Sequence, residues 1–150
     1  MNAVIADYQD YVEEIRGIRK SVFIKEQNVP EDIEIDGLDS AAKHVLVFEA
    51  DKAIGTGRML LDGHIGRIAV EREYRHSGVG SIIMKKLIDL AVDLQLSEVW
   101  LSSQYHVRGF YHKLGFIEIG DIYQEAGIKH IKMKRKLKLM PCPGALRHHD

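Results

Sequence analysis

One cysteine, Cys142, stands in 150 residues, so neither an intrachain disulfide nor a cysteine-built zinc site can form. No His-Glu-x-x-His occurs, and the His148-His149 pair has no third ligand nearby in sequence, so no metal is expected. No apolar run approaches the roughly 20 residues a membrane-spanning helix needs, which argues against a membrane partner. Met1 to Asp7 lacks the basic and apolar regions of a secretory signal. A formal net charge of −1 gives no global attraction to nucleic acid or anionic lipid. Internal repeats and low-complexity linkers are absent too. Together these absences point to a cytoplasmic protein with neither nucleic acid nor membrane as partner.

What remains is ordinary for a globular chain: 45% apolar and 29% charged residues, enough for one well-cored domain. That domain is expected over residues 1–140. The aperiodic segment 141–150 is expected to be a flexible tail or one clipped to the surface. Cys142 lies there between two prolines, a poor position for a nucleophile.

One stretch organises the rest. His64–Val70 reads as a strand, Glu71–Tyr74 as a charged turn, and the residues after Gly78 and Gly80 as a long helix. Its apolar positions 79, 82, 83, 87, 90, 91 and 94 follow helical spacing. Two glycines at a helix start remove β-carbons and let backbone N–H groups approach a ligand. Those first-turn amides have no intrahelical partner and sit at the positive end of the helix dipole, where a diphosphate suits them. Arg75, His76 and Ser77 add side-chain donors around the same point. The alternative is a plain glycine-capped turn. Neither Gly-x-Gly-x-x-Gly nor a P-loop Lys-Ser/Thr is present.

Elsewhere, Ala3–Ala6 reads as a strand and Tyr8–Glu26 as one amphipathic helix, with Arg16, Arg19 and Lys20 on its polar side. Pro30 stops that helix. The acidic stretch 31–39 reads as a structured loop with a short helix. Strands follow at 44–50 and 53–61, forming a hairpin, then beyond the central helix at 98–103, 116–122 and 128–137. A short helix at 107–114, ended by Gly115, and a loop at 123–127 separate the last three. A meander followed by a βαβ crossover implies a mixed sheet flanked by helices, an α/β fold. The basic run Lys129–Lys138 reads as the guarded edge of a sheet.

Arg75-x-x-Gly78-x-Gly80 resembles the Arg/Gln-x-x-Gly-x-Gly/Ala signature of the GCN5-related N-acetyltransferase (GNAT) superfamily, and Arg19-x-x-Val22-Phe-Ile-x-Glu26-Gln27, Asp36-x-x-Asp39…His44 and Gly127-Ile-x-His130-x-x-Met133 resemble a bacterial branch of small members. Gln104 to Phe116 resembles that superfamily's Asn-x-x-Ala-x-x-Phe-Tyr-x-x-x-Gly-Phe element. There Phe110, Tyr111, Gly115 and Phe116 match, while Gln104 replaces Asn and Val107 replaces Ala. The resemblance covers most of the chain. It implies the GNAT fold, a mixed central β-sheet flanked by helices, and acetyl-CoA as cosubstrate. It further implies direct transfer of the acetyl group to the primary amine of a small molecule or peptide. The pyrophosphate is expected on His76, Ser77, Gly78, Val79, Gly80 and Ser81. The pantetheine arm is expected along Ile68, Ala69 and Val70 and beside Gln104 and Tyr111, where a β-bulge near Ile68–Ala69 parts the strands. Tyr111 is expected to protonate the departing thiolate, a phenol of pKa about 10 against a thiol of about 8.5. The other reading makes it a core aromatic like Phe110 and Phe116.

The acceptor end is less defined. An ammonium cannot attack a thioester, so a base or a water path is needed; Glu26 and His44 are candidate bases, with His130 and Glu71 beside them. Glu26 reads equally as a partner for Arg19, and the two histidines as loop caps. The strand before the phosphate turn carries no glutamate of the kind histone-modifying relatives use. Asp36 and Asp39 would suit a cationic acceptor or form an exposed acidic loop. A homodimer stays open, as does a non-catalytic acyl-CoA sensor, which needs the cradle but no acid at position 111.

Overall fold

The computed structural model describes residues 1–138 and divides the chain into two compact units, Met1–Ile88 and one beginning at Asp89. Cys142 and the expected tail lie outside the described residues.

The first unit carries a four-stranded antiparallel sheet in the order β1 (Asn2–Ala6), β2 (Lys43–Glu49), β3 (Lys52–Met59) and β4 (Ile65–Val70). Side chains on a strand alternate between faces, so Leu46, Thr56 and Ala69, aligned by register, share one face. Leu46 and Ala69 there pack with Ala6 against Ile15, Ile18 and Val22. Ile15 and Ile18 belong to α1 (Val12–Arg19), whose apolar stripe has helical spacing. Each such aliphatic side chain contributes roughly 1.5–3 kcal/mol by leaving water.

The opposite face of β3 presents Gly55 and Gly57. A β-carbon on Gly57 would lie 2.5 Å from Ile83 Cγ2, and one on Gly55 2.8 Å from Val79 Cγ1. Val79 and Ile83 belong to α3 (Val79–Asp93), so two missing side chains are what let this helix lie against the strand. The glycines of β3 thus fix where the start of α3 sits.

One expected helix is three structures. Tyr8–Tyr11 is a turn in which the Gln9 N–H bonds the Asp7 side chain at 2.9 Å and the Asp10 N–H the Asp7 carbonyl at 3.1 Å. Beyond α1, Lys20–Glu26 is π-helical. Its wider ring is closed by Gln27 N–H on the Val22 carbonyl at 3.1 Å. A short α2 (Glu31–Glu34) and a 3₁₀ turn (Asp39–Ala41) fill the acidic stretch.

The second unit holds an antiparallel sheet in the order β5 (Glu98–Gln104), β7 (Ile128–Lys136), β6 (Ile117–Glu125), with α4 (Arg108–Lys113) between β5 and β6. The expected mixed sheet therefore takes the form of two antiparallel ladders, β4 ending one and β5 starting the other. The loop expected at 123–127 is a tight hairpin. Ala126 and Gly127 take φ of +52° and +76°, the left-handed pair a two-residue turn demands. The basic run is not a sheet edge either, because β7 is the middle strand. Lys132, Lys134 and Lys136 share one face of it, Lys132 Nζ standing 4.4 Å from the Trp100 ring centroid.

Candidate functional site

The site grows from β4. Thr56 pairs with Ala69 and Arg58 with Gly66, so the single residue Gly57 faces two, Arg67 and Ile68. This is a β-bulge, one residue earlier than the expected Ile68–Ala69, and Arg67 takes φ of +50° to make it. Past the bulge, Glu71 N–H bonds the Ile54 carbonyl at 2.9 Å. Backbone groups alternate in direction along an antiparallel strand, so those of Val70 face away from β3. Since β4 is the last strand of its sheet, that is an open edge. Arg75 Nε donates to the Val70 carbonyl at its end, 3.0 Å away.

From Val70 the chain makes a 3₁₀ turn (Arg72–Tyr74), then bends through His76 and Gly78 at φ of +62° and +87°. Backbone turns that include left-handed residues can present successive N–H groups to an anion. Ser77 Oγ donates to the Tyr74 carbonyl and braces the bend. Ile82 N–H on the Gly78 carbonyl, at 3.1 Å, closes the first turn of α3. The amides of Val79, Gly80 and Ser81 are then first-turn donors with no intrahelical acceptor. No heavy atom lies within 4 Å of a β-carbon built on Gly78, so the turn is roomy in that direction.

Glu26 closes the back of this turn. Its two carboxylate oxygens accept from Arg75 Nη1 and Nη2 at 2.6 and 2.7 Å, a bidentate pair. Those hydrogen bonds hold the Glu26 carboxyl below the usual carboxylate range. Ser21 Oγ donates to Glu71 at 2.8 Å. The pairing of Glu26 with Arg19 offered by the sequence is not what forms.

Arg19 is instead 1% exposed, in the core rather than on a polar helix face, and it grips Glu34 and Asp39 at 2.7 and 2.6 Å. Arg58 takes Asp36 at 2.7 Å and Asp39 at 3.1 Å, and Arg67 reaches the Glu34 carbonyl at 3.1 Å. Asp39 is thus buried rather than on an exposed loop, while Asp36 does lie on one, and the arginine partners leave neither free for a cationic acceptor. Arg58 holds Asp36 well below the usual carboxylate range. Burial opposes the ionisation of Asp39, but Arg19 and Arg58 prevail and lower it too. The sequence signal was a lone arginine, Arg58, within a strand of small and apolar residues.

His44 lies beneath this cluster, 1% exposed and stacked on Tyr8 with ring centroids 5.0 Å apart. Its Nε2–H donates to the Asp39 carbonyl at 2.9 Å, while the buried Nδ1 has no partner among the described residues. Burial lowers its pKa from the ordinary histidine value.

In the second unit, Gln104 ends β5 opposite His130. His130 Nδ1–H donates to the Ile128 carbonyl at 2.8 Å, its ring stacks on Tyr123, and Tyr123 hydrogen-bonds Ser102. Tyr111 sits on α4, edge-on to Phe110 and Phe116 at 5.0 and 6.0 Å, and burial pushes its phenol up. Phe116 is the core aromatic of the three. The first unit therefore gathers residues 68–70, 75–81 and Glu26 around one turn, and Gln104 and Tyr111 belong to the second.

A bulged edge strand, a left-handed turn and a helix start thus follow one another directly. The model of the acetyltransferase (GNAT) domain family matches residues 7–137, and the chain belongs to that family. The uncharacterized N-acetyltransferase YjcF of Bacillus subtilis is 37% identical over 139 residues, covering 90% of this chain and 99% of its own. The crystal structure of an acyl-CoA N-acyltransferase from Pseudomonas aeruginosa superimposes with a TM-score of 0.81 at 28% identity, covering 90% of this chain and 99% of that one. An aminoglycoside 6'-N-acetyltransferase complexed with coenzyme A shares the fold, with a TM-score of 0.76 at 13% identity over 94% of this chain and 99% of that one. The chain thus has the GNAT fold and belongs to a family of acyltransferases. No described helix is long and apolar enough to cross a membrane.

Proposed function

We propose that this protein transfers the acetyl group of acetyl-CoA directly to a primary amine, with residues 1–140 acting as one acetyltransferase domain. The observation that carries the reading is the roomy left-handed turn at His76–Gly78, which leads the open edge of β4 into the first-turn amides of α3. Amides from His76 to Ser81 would hold the diphosphate, and the backbone of Ile68 and Val70 would pair with the pantetheine amides as a neighbouring strand does. Acetyl-CoA supplies an activated thioester. Tyr111 would hand its proton to the sulfur that leaves. Its buried phenol stays protonated over the working range, as a proton donor to a thiolate must.

Neither suggested base suits its part. Both oxygens of Glu26 accept from Arg75, and His44 is sealed in the core with one ring nitrogen committed to Asp39. His130, Glu71 or a water path would then take the ammonium proton. Calorimetry with CoA, followed by thiol release with a panel of amines (polyamines, amino sugars, amino acids, peptide termini), tests the proposal. CoA binding without turnover on any amine would favour an acyl-CoA sensor instead.

A further inference from the structure

We infer that Glu26 is a positioning residue for the phosphate-binding turn: its carboxylate is the strut that fixes Arg75, and through Arg75 the path of residues 71–78. The inference rests on the reading of that turn as the cosubstrate's phosphate site. Arg75 follows the 3₁₀ turn in extended conformation, φ −70° and ψ 156°, and its side chain folds back on the strand it has just left. Nε covers the Val70 carbonyl at 3.0 Å, and Nη1 and Nη2 meet the two oxygens of Glu26 at 2.6 and 2.7 Å. Three of the five guanidinium N–H groups are thereby committed, in the planar fork that matches a carboxylate. The guanidinium cannot swing without breaking all three bonds.

A second strut enters from the same direction. Ser21 Oγ donates to Glu71, the residue that begins the turn, at 2.8 Å. Ser21 and Glu26 both belong to the π-helical segment Lys20–Glu26, 50 and 49 residues away in sequence from their respective partners. Longer π-helical segments are rare, and π turns concentrate at functional sites. Here the segment spans the start and the Arg75 end of the turn. With side-chain exposures of 31% for Arg75 and 25% for Glu26, the pair adds little to stability by attraction alone. What it supplies is geometry, held in place before the ligand arrives. A base role for Glu26 is a poor alternative, because its bidentate pair with Arg75 holds the carboxylate ionised and a weaker base than usual.

The test uses the full chain with Glu26→Gln, Arg75→Gln and the double variant, read by calorimetry with CoA and by acetyl-CoA kinetics on the best amine acceptor. Each single change should weaken CoA binding and raise KM for acetyl-CoA by about fivefold, the ceiling for a partly exposed ion pair. The loss should fall on KM rather than on kcat. The double variant should be no worse than the weaker single one, since both remove the same strut. Unchanged CoA affinity in the single variants overturns the inference, and so does a loss confined to melting temperature. A fall in kcat for Glu26→Gln with CoA affinity intact would make Glu26 a base and overturn it as well. Tighter CoA binding by that variant would show Glu26 competing with the phosphates, again the opposite result. If the unaltered protein itself binds no CoA, the phosphate-site reading fails and the inference falls with it. The other outcomes arise with that binding intact.

Discussion

Gly57→Ala asks whether the start of α3 is seated by the glycines of β3. The added methyl would stand 2.5 Å from Ile83 Cγ2, 2.7 Å from Ile68 Cδ1 and 3.2 Å from Leu87 Cδ1. Carbon atoms in contact prefer about 3.5–4.0 Å, so roughly an ångström must be found. The Ile68 and Leu87 atoms end flexible side chains and can turn away. Ile83 Cγ2 cannot, because a β-branched residue in a helix is held to essentially one χ1 rotamer. The helix must recede, at the overpacking cost of about 1–3 kcal/mol. For a chain of this size that is a fall of roughly 3–9 °C in Tm. CoA affinity should fall with it, since the first-turn amides move.

Two further variants isolate the cause. Ile83→Leu removes the offending branch at nearly equal volume, so Gly57→Ala with Ile83→Leu should recover part of both losses. Gly66→Ala, on the adjacent strand with nothing within 4 Å, should melt within about 0.5 kcal/mol of the parent. Thermal melts and calorimetry read all three. A Gly57→Ala protein with unaltered Tm and CoA affinity would refute the packing argument.

Other changes probe the proposed chemistry and the core. Gly78→Asp places an anion and a strained left-handed side chain, at φ +87°, in the phosphate turn; calorimetry should show no CoA binding, with the circular dichroism spectrum nearly unchanged. Tyr111→Phe keeps the ring contacts with Phe110 and Phe116 but removes the proton, so turnover should drop by about two orders of magnitude while CoA affinity and Tm hold. Turnover within a few-fold of the parent would leave Tyr111 a packing residue. His44 carries a pH signature in stability. Burial depresses its folded pKa, so the unfolded chain takes up the proton first and the stabilisation present above about pH 6.5 is lost as pH falls below it. His44→Gln, which keeps a donor for the Asp39 carbonyl, should flatten that decline in denaturant titrations between about pH 5 and 7.

The β4–turn–α3 unit was legible in sequence because its cues are local. Gly78 stands where φ must be positive, and the apolar positions of α3 repeat at helical spacing. The bulge was expected within one residue for a different reason, the resemblance to the family. The π-helical segment was hidden, since α and π turns draw on the same residues and only the carbonyl chosen by Gln27 N–H distinguishes them. Glu34 and Asp39 misled because an acidic stretch is ordinarily solvated, while their partners Arg19 and Arg58 lie 15 to 20 residues away. Arg75 and Glu26 were both singled out, yet a pair separated by 49 residues leaves no trace in spacing. Gly55 and Gly57 read as unremarkable strand residues until α3 is placed over them.

The central claim, direct acetyl transfer to an amine, is met most squarely by one assay. The purified protein is mixed with acetyl-CoA and an amine panel, and free thiol and acetylated amine are measured together by absorbance and mass spectrometry. Direct transfer gives one acetylated amine per thiol released for at least one acceptor, with no acetylated protein accumulating. An acetyl-enzyme that forms first and then passes its acetyl group to the amine would contradict direct transfer.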